Sequence, residues 1–248
     1  ALENNISLVK SIVGNRKILG VVKANAYGHG LVEISKQLEE LGVDYLGVAY
    51  IEEAVYLRKK GIKIPILVLG AIDNSQIDLF LKNDIDITGS SIEKLENISK
   101  VASKLGKMAR VHLKIDTGMG RIGVQWDRKE EFLQKAYSLE NIDIVGIFSH
   151  FADSPQDLEF TKKQLERFET VLEYLEKNFQ RPDIVHMANT GAVSNSFEES
   201  FFDMVRPGLL LYGYSENPHI QKLLKPVMSF KTIVSYFKVL GKDNSVGY

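Results

Sequence analysis

The sequence predicts a (β/α)8 barrel, an α/β fold, and three observations lead to it. Eight short apolar runs rich in β-branched residues recur along the chain. They lack clean period-2 alternation, as parallel strands covered on both faces do. Segments of helical periodicity separate them, and the whole set fits within about 200 residues, which suits a closed barrel better than an open doubly wound sheet.

The expected strands are 17–22 (KILGVV), 45–48 (YLGV), 64–69 (IPILVL), 85–88 (IDIT), 110–115 (RVHLKI), 142–148 (IDIVGIF), 183–187 (DIVHM) and 202–205 (FDMV). Helical patterns fill 31–41, 51–60, 75–82, 91–105, 128–138 and 157–178, with a short one near Gly191. In 157–178, Thr161, Leu165, Phe168, Leu172 and Leu175 recur at helical spacing. That stripe is what an outer barrel helix turns toward its own strands. The pattern changes after Tyr214. Residues 215–225 read as a loop containing Pro218, then 228–240 read as a strand with no helix after it, and Gly241–Asn244 as a turn. The expected organisation is therefore a barrel over 1–214, then a linker and the first strand of an incomplete β-domain over 215–248. A lone strand needs partners, so the chain reads as a piece of a longer protein.

Composition excludes several classes of function. Lys and Arg total 31 against 32 Asp and Glu, a net charge of −1 over 248 residues. That balance argues against a nucleic-acid partner and a polybasic membrane contact. No cysteine is present, which excludes disulfides, thiolate metal sites and a cysteine nucleophile, and fits a cytoplasmic location. The longest apolar stretch, 64–72, is far short of the roughly 20 residues of a spanning helix. No signal peptide is visible, although the chain starts at Ala1. The five histidines (His29, His112, His150, His186 and His219) show no close ligand spacing, so no metal site is expected.

The chemistry starts at Val21-Val22-Lys23-Ala24-Asn25-Ala26-Tyr27-Gly28-His29-Gly30. Lys23 follows directly on a buried strand. At the C-terminal end of a barrel strand its amine would reach the mouth, where active sites sit. A low dielectric there lowers an amine's pKa and makes it nucleophilic. Further strings stand at the ends of later strands: Lys114-Ile115-Asp116-Thr117-Gly118-Met119-Gly120-Arg121, Phe148-Ser149-His150-Phe151-Ala152, His186-Met187-Ala188-Asn189-Thr190 and Met204-Val205-Arg206-Pro207-Gly208-Leu209. Thr190 offers a hydroxyl after the seventh strand. Gly208 and Leu209 offer backbone N–H groups after the eighth, where barrels commonly hold a phosphate.

In order and over nearly the whole chain, these strings resemble the bacterial alanine racemases, pyridoxal-phosphate enzymes with a barrel and a C-terminal β-domain. The resemblance implies that Lys23 carries the pyridoxal 5′-phosphate and serves as one catalytic base. It implies further cofactor contacts from Tyr27, Leu69, His150, Asn189, Thr190, Arg206, Gly208 and Leu209. Arg206 would face the pyridine nitrogen, and because a guanidinium keeps its proton the ring nitrogen would stay unprotonated. His150 would link Arg206 to a tyrosine. Arg121 would steady that tyrosine and the substrate carboxylate. Lys114 stands where some members carry a carbamylated lysine that orients this arginine. The string Gly241–Tyr248 aligns with the family segment bearing the second base, so Tyr248 becomes that base, delivered across a homodimer interface. The family usually has serine where this chain has Thr190 and Gly247. The implied activity is interconversion of L- and D-alanine by proton removal on one face and return on the other, supplying D-alanine for peptidoglycan. The departures leave open a serine racemase domain, including the type fused to a membrane segment. A non-catalytic pyridoxal-phosphate barrel is the other alternative, although it would need neither the Lys23 string nor Tyr248.

Overall fold

The computed structural model describes residues 1–154 and 156–247. Eight parallel strands form the barrel: β1 (Lys17–Val21), β2 (Tyr45–Val48), β3 (Ile66–Val68), β4 (Ile87–Gly89), β5 (Ala109–Asp116), β6 (Ile142–Phe148), β7 (Ile184–His186) and β8 (Met204–Val205). Their lateral order is β3-β2-β1-β8-β7-β6-β5-β4. A parallel bridge between Leu67 and Asp86 joins β3 to β4 and brings the ring round. The two-residue strand Val124–Gln125 pairs with the end of β5.

The helices are α1 (Leu2–Val13), α2 (Leu31–Glu40), α3 (Ile51–Lys59), α4 (Ile77–Lys82), α5 (Ile92–Leu105), α6 (Lys129–Ser138), α7 (Leu158–Asn178), α8 (Thr190–Ser194), α9 (Leu209–Tyr212) and α10 (Pro218–Gln221). Periodicity singled out neither α1 nor the short α9 and α10. In α1 the buried positions Leu2, Ile6, Val9 and Val13 keep helical spacing, and the buried Asn5 amide donates to Leu211 O (2.9 Å) and Lys225 O (2.8 Å). Both carbonyls lie more than 200 positions away, so sequence spacing alone carries no trace of that anchor. In α7, Thr161, Leu165, Phe168, Leu172 and Leu175 are all buried, facing the strands.

The largest departure concerns residues 228–240, expected as a strand. They carry no strand here. Phe230 is 99% exposed and Ile233, Phe237 and Val239 at least 80%. A strand is a ladder of hydrogen bonds, and no partner runs beside this segment among the described residues. Residues 215–225 are not wholly loop either: Pro218 occupies the first turn of α10, where its missing N–H costs nothing.

Candidate active site

The polypeptide leaves β1 through an unusual turn. Ala24, Asn25, Ala26 and Tyr27 all have φ between 52° and 55°, a left-handed turn of non-glycine residues. Such residues cost roughly 1–2 kcal/mol each, so the surroundings must hold them. Glu53 Oε1 accepts the Ala24 N–H (2.7 Å), while its Oε2 accepts the Ala49 N–H (2.8 Å). Asn25 Oδ1 accepts the Leu31 N–H at the start of α2 (2.8 Å). The turn sets Lys23 and Tyr27 on the rim of a cavity of about 240 Å³ at the C-terminal ends of the strands.

Around that cavity stand Lys23, Tyr27, Leu69, Lys114, Arg121, His150, Asn189, Thr190, Arg206, Gly208 and Leu209. Every site residue read from the sequence is there except Tyr248, which lies outside the described residues. Val21 and Phe148 complete the lining. The wall thus holds two lysines and two arginines and, among the described residues, no carboxylate.

Three of those cations are handled differently. Burial and the nearby Arg121 lower the Lys23 pKa, with Glu53 opposing them. Lys114 is buried on β5 with its Nζ 4.4 Å from the centre of the Phe148 ring. Burial first, then the charges of Arg206 and Arg121, push it well below an ordinary lysine, so the neutral amine is favoured. Arg206 is buried, and its guanidinium stacks 5.3 Å above the same ring. Burial and Arg121 lower it to about 9, which leaves it cationic at neutral pH. It reaches no carboxylate among the described residues. Asp203, three positions from Arg206 in sequence, accepts instead from Arg181 Nη2 (2.6 Å) and from the Val185 N–H (2.8 Å). Arg206 Nη1 donates to His186 Nδ1 (2.8 Å), and Nη2 donates to Ser149 O (2.6 Å), Met187 O (3.1 Å) and His150 Nδ1 (3.1 Å). Burial and the surrounding cations hold His150 well below the usual histidine range, so it is neutral.

The opposite wall is made of small donors. Thr190 Oγ1 accepts the Gly208 N–H (2.9 Å), which leaves its own hydroxyl proton free to donate. A Cβ on Gly208 would fall 2.8 Å from Tyr27 Oη, so only glycine lets the phenol lie against this backbone. Asn189 Oδ1 caps α8 through the Ala192 N–H (3.1 Å) and accepts from Ser154 Oγ (2.6 Å). His29 lies against Tyr212 at 4.6 Å with the rings tilted by 31°, and its Nδ1 donates to the carbonyls of Ala26 (3.0 Å) and Tyr27 (3.1 Å), a structural role. A cationic, carboxylate-free cavity with hydroxyl and amide donors at one end fits a pyridine aldehyde bearing a phosphate.

Sequence reasoning missed one cluster. His112 and His186 were weighed only as metal ligands, yet their rings meet at 3.0 Å (Nδ1 to Nε2) in the barrel interior. Asp86, buried at the β3–β4 seam, lies 3.4 Å from His112 Nε2. The signal available was a polar residue, Asp86, His112 or His186, flanked by apolar neighbours in each of three expected strands.

No helix among the described residues is long and apolar enough to cross a membrane. The family model for the alanine racemase N-terminal domain matches residues 1–216. Alanine racemase 2 of Caldanaerobacter subterraneus subsp. tengcongensis is 42% identical over 253 residues, covering all of this chain and 65% of the relative. The alanine racemase of Methanococcus maripaludis is 40% identical, covering all of this chain and 68% of its own length. Among solved structures, alanine racemase from Clostridium difficile 630 superposes with a TM-score of 0.85 at 36% identity, over 91% of this chain and 60% of that one. The chain thus spans about two thirds of the length of the relatives it matches. By the family model and by relatives at about 40% identity, this chain belongs to the alanine racemase family.

Proposed function

We propose that the full-length protein interconverts L- and D-alanine with pyridoxal 5′-phosphate as cofactor, as the family to which the chain belongs does. The observation that carries this reading is the cavity itself: two lysines and two arginines with no carboxylate, one amine of lowered pKa, and a hydroxyl–amide end. When bound, the pyridoxal ring draws off the electron pair released as the substrate's Cα–H bond breaks. The residues supply everything else. Lys23 would hold the cofactor through Nζ and then serve as the base on one face of Cα. Thr190, Leu209 and Tyr27 would take the phosphate, with Gly208, whose N–H is given to Thr190 Oγ1, allowing it to approach the backbone closely. Asn189 lies beside them, and Leu69 would bound the ring face. Arg206, a donor that keeps its proton, would meet the ring nitrogen without protonating it. Arg121 would take the substrate carboxylate.

We assign the second base to Tyr248, delivered from the partner subunit of a homodimer. A phenol of pKa near 10 is a weak base at neutral pH. Neutral His150, already held by Arg206, together with Arg121 would offer that phenolate its stabilising partners. The product D-alanine would enter peptidoglycan synthesis in the cytoplasm. The relatives are alanine racemases, which favours alanine over serine as substrate and catalysis over mere cofactor carriage.

The test is a racemase assay on full-length protein reconstituted with cofactor, run with L-alanine and L-serine and followed by optical rotation. Turnover of alanine well above serine, lost in Lys23→Ala, is the expected result. Preference for serine, or cofactor binding without turnover, overturns the proposal.

A further inference from the structure

The interior of a barrel is ordinarily filled by layers of branched apolar side chains. Here a file of polar groups runs through it. Arg206 meets His186, His186 meets His112, and His112 meets Asp86. All four side chains are at least 96% buried. An unpaired polar group in this setting is costly, so the partner that each member of the file faces matters.

The protons in this file can be placed by elimination. A guanidinium only donates. His186 Nδ1, 2.8 Å from Arg206 Nη1, is therefore an acceptor and carries no proton. The remaining proton of that ring sits on Nε2, which faces His112 Nδ1 at 3.0 Å. His112 Nδ1 must accept, so the His112 proton sits on Nε2. That nitrogen points to Asp86 Oδ2 at 3.4 Å, a contact longer than an ordinary hydrogen bond, and it has no other partner among the described residues. The direction of every link is consistent only if the file ends on an acceptor, and it ends on a carboxylate.

The surroundings are built for this arrangement. The β5–β6 ladder shifts register between Val111 and His112, with the extra residue, Val145, in β6, and the shift sets Gly146 opposite His112. Across from it, a Cβ on Gly146 would lie 2.2 Å from His112 Nδ1, so the ring fits only over a glycine. His186 is stacked on Phe148 at 4.7 Å with the planes 7° apart. Asp86 is kept charged. Burial by itself would raise its carboxyl, but the contacts from His112 and Arg110 outweigh that and hold it below the usual range. Arg110 Nε donates to Oδ1 (2.9 Å) and Tyr45 Oη donates to Oδ2 (3.2 Å).

We propose that Asp86 is a positioning residue for Arg206: from the barrel seam, two imidazoles away, its carboxylate fixes the ring protons of His112 and His186 and so leaves His186 Nδ1 as the acceptor that aims the guanidinium into the cavity. Asp86 touches neither cofactor nor substrate. The placement of the protons stands on the file alone; its consequence for turnover rests on the proposed function.

Asp86→Asn separates these claims. The single amide oxygen would be claimed by Arg110, turning the NH2 toward His112 Nε2. His112 would then carry its proton on Nδ1, His186 would follow, and an N–H would face Arg206 Nη1, donor against donor.

The experiment is ¹⁵N NMR of histidine-labelled full-length protein, first without cofactor. The ring signals of His112 and His186 can be assigned by single replacements. Wild type should show His112 and His186 as Nε2–H tautomers, and Asp86→Asn should convert at least His112 to Nδ1–H. Nδ1–H on either ring in wild type, or both rings unchanged in folded Asp86→Asn, overturns the proposal. Should Asp86→Asn not fold, the wild-type tautomers still decide it, and His112→Gln provides a second cut that should mobilise the Arg206 guanidinium signals. With cofactor added, Asp86→Asn should lower kcat about tenfold at little change in KM. If the tautomers are as stated but the wild-type protein does not racemise alanine, the proposed function fails and the placement of the protons by Asp86 survives.

Discussion

Arg206 Nη1 donates to His186 Nδ1 across 2.8 Å, and the same guanidinium reaches His150 Nδ1 at 3.1 Å. Its side-chain partners are two neutral rings, and the rest are backbone carbonyls. None of them neutralises it. A cation held this way keeps its full charge toward the cavity while giving up no proton. A carboxylate at the same place would do the reverse, stabilising a protonated ring nitrogen and deepening the electron sink.

That contrast makes Arg206→Glu the direct test of this residue. In reconstituted full-length protein the substitution should slow racemisation by about two orders of magnitude, within the range for losing a preorganised charge. It should also raise the fraction of cofactor diverted to transamination, because a longer-lived carbanion is protonated at the wrong atom more often. Pyridoxamine phosphate measured per turnover reports this. Unchanged racemisation with no rise in that product would remove Arg206 from its role.

The barrel was legible because its strands are mostly apolar on both faces, so runs such as 142–148 stand out whatever they pair with. The pocket was legible because its residues cluster at strand ends, where Lys23, His150 and Arg206 each fall within a short motif. What stayed hidden depends on contacts distant in sequence. The left-handed turn at Ala24–Tyr27 includes two alanines and a tyrosine that give no sign of positive φ, and it is held by Glu53. Asp86, His112 and His186 come from three strands, and only the closed barrel turns them toward one another. The apolar pattern at 228–240 describes a segment suited to a sheet, but a ladder partner is a property of the assembled structure.

The lowered pKa of Lys23 sets a pH dependence. Its value in the folded protein lies below that of a free lysine amine, so the neutral, nucleophilic form appears at a lower pH than for a surface lysine. The rate of reaction with pyridoxal phosphate should rise with pH and level off below 10.5. Borohydride should then fix the cofactor to Lys23, found by peptide mass mapping. Label on another lysine would end the assignment.

Gly208 should be intolerant of any side chain because of Tyr27. In Gly208→Ala the new methyl would meet Tyr27 Oη at 2.8 Å and push the phenol from its place. The cofactor dissociation constant should rise about tenfold, equivalent to ~1.4 kcal/mol, with the far-ultraviolet circular dichroism unchanged. Unaltered affinity would show that this approach is not used for binding.

Lys114 is a buried amine for which the charged form is disfavoured. Condensation of that neutral amine with carbon dioxide yields a carbamate and a proton, replacing a suppressed cation with an anion between Arg206 and Arg121. Full-length protein equilibrated with ¹³C-bicarbonate should show one carbamate carbon signal that disappears in Lys114→Ala. A wild-type spectrum without it would mean that Lys114 acts as the free amine.

The two bases are assigned to different subunits, which gives the proposed function its most demanding test. Tyr248→Ala in full-length protein should lower activity by on the order of 10² or more, as for loss of a positioned acid–base group, while Lys23 still takes up cofactor. Solvent-deuterium exchange should then survive better into D-alanine than into L-alanine, since Lys23 alone would serve the D-enantiomer. Lys23→Ala should abolish turnover altogether. Mixing these two inactive proteins under conditions that exchange subunits should restore part of the activity. In a mixed dimer one cavity combines Lys23 of one subunit with Tyr248 of the other, while the second cavity lacks both. At random exchange half of the dimers are mixed and each has one working cavity of two, so about a quarter of the wild-type rate is the ceiling. No recovery, with subunit exchange verified by mass spectrometry, would place both bases in a single subunit and refute delivery across the interface.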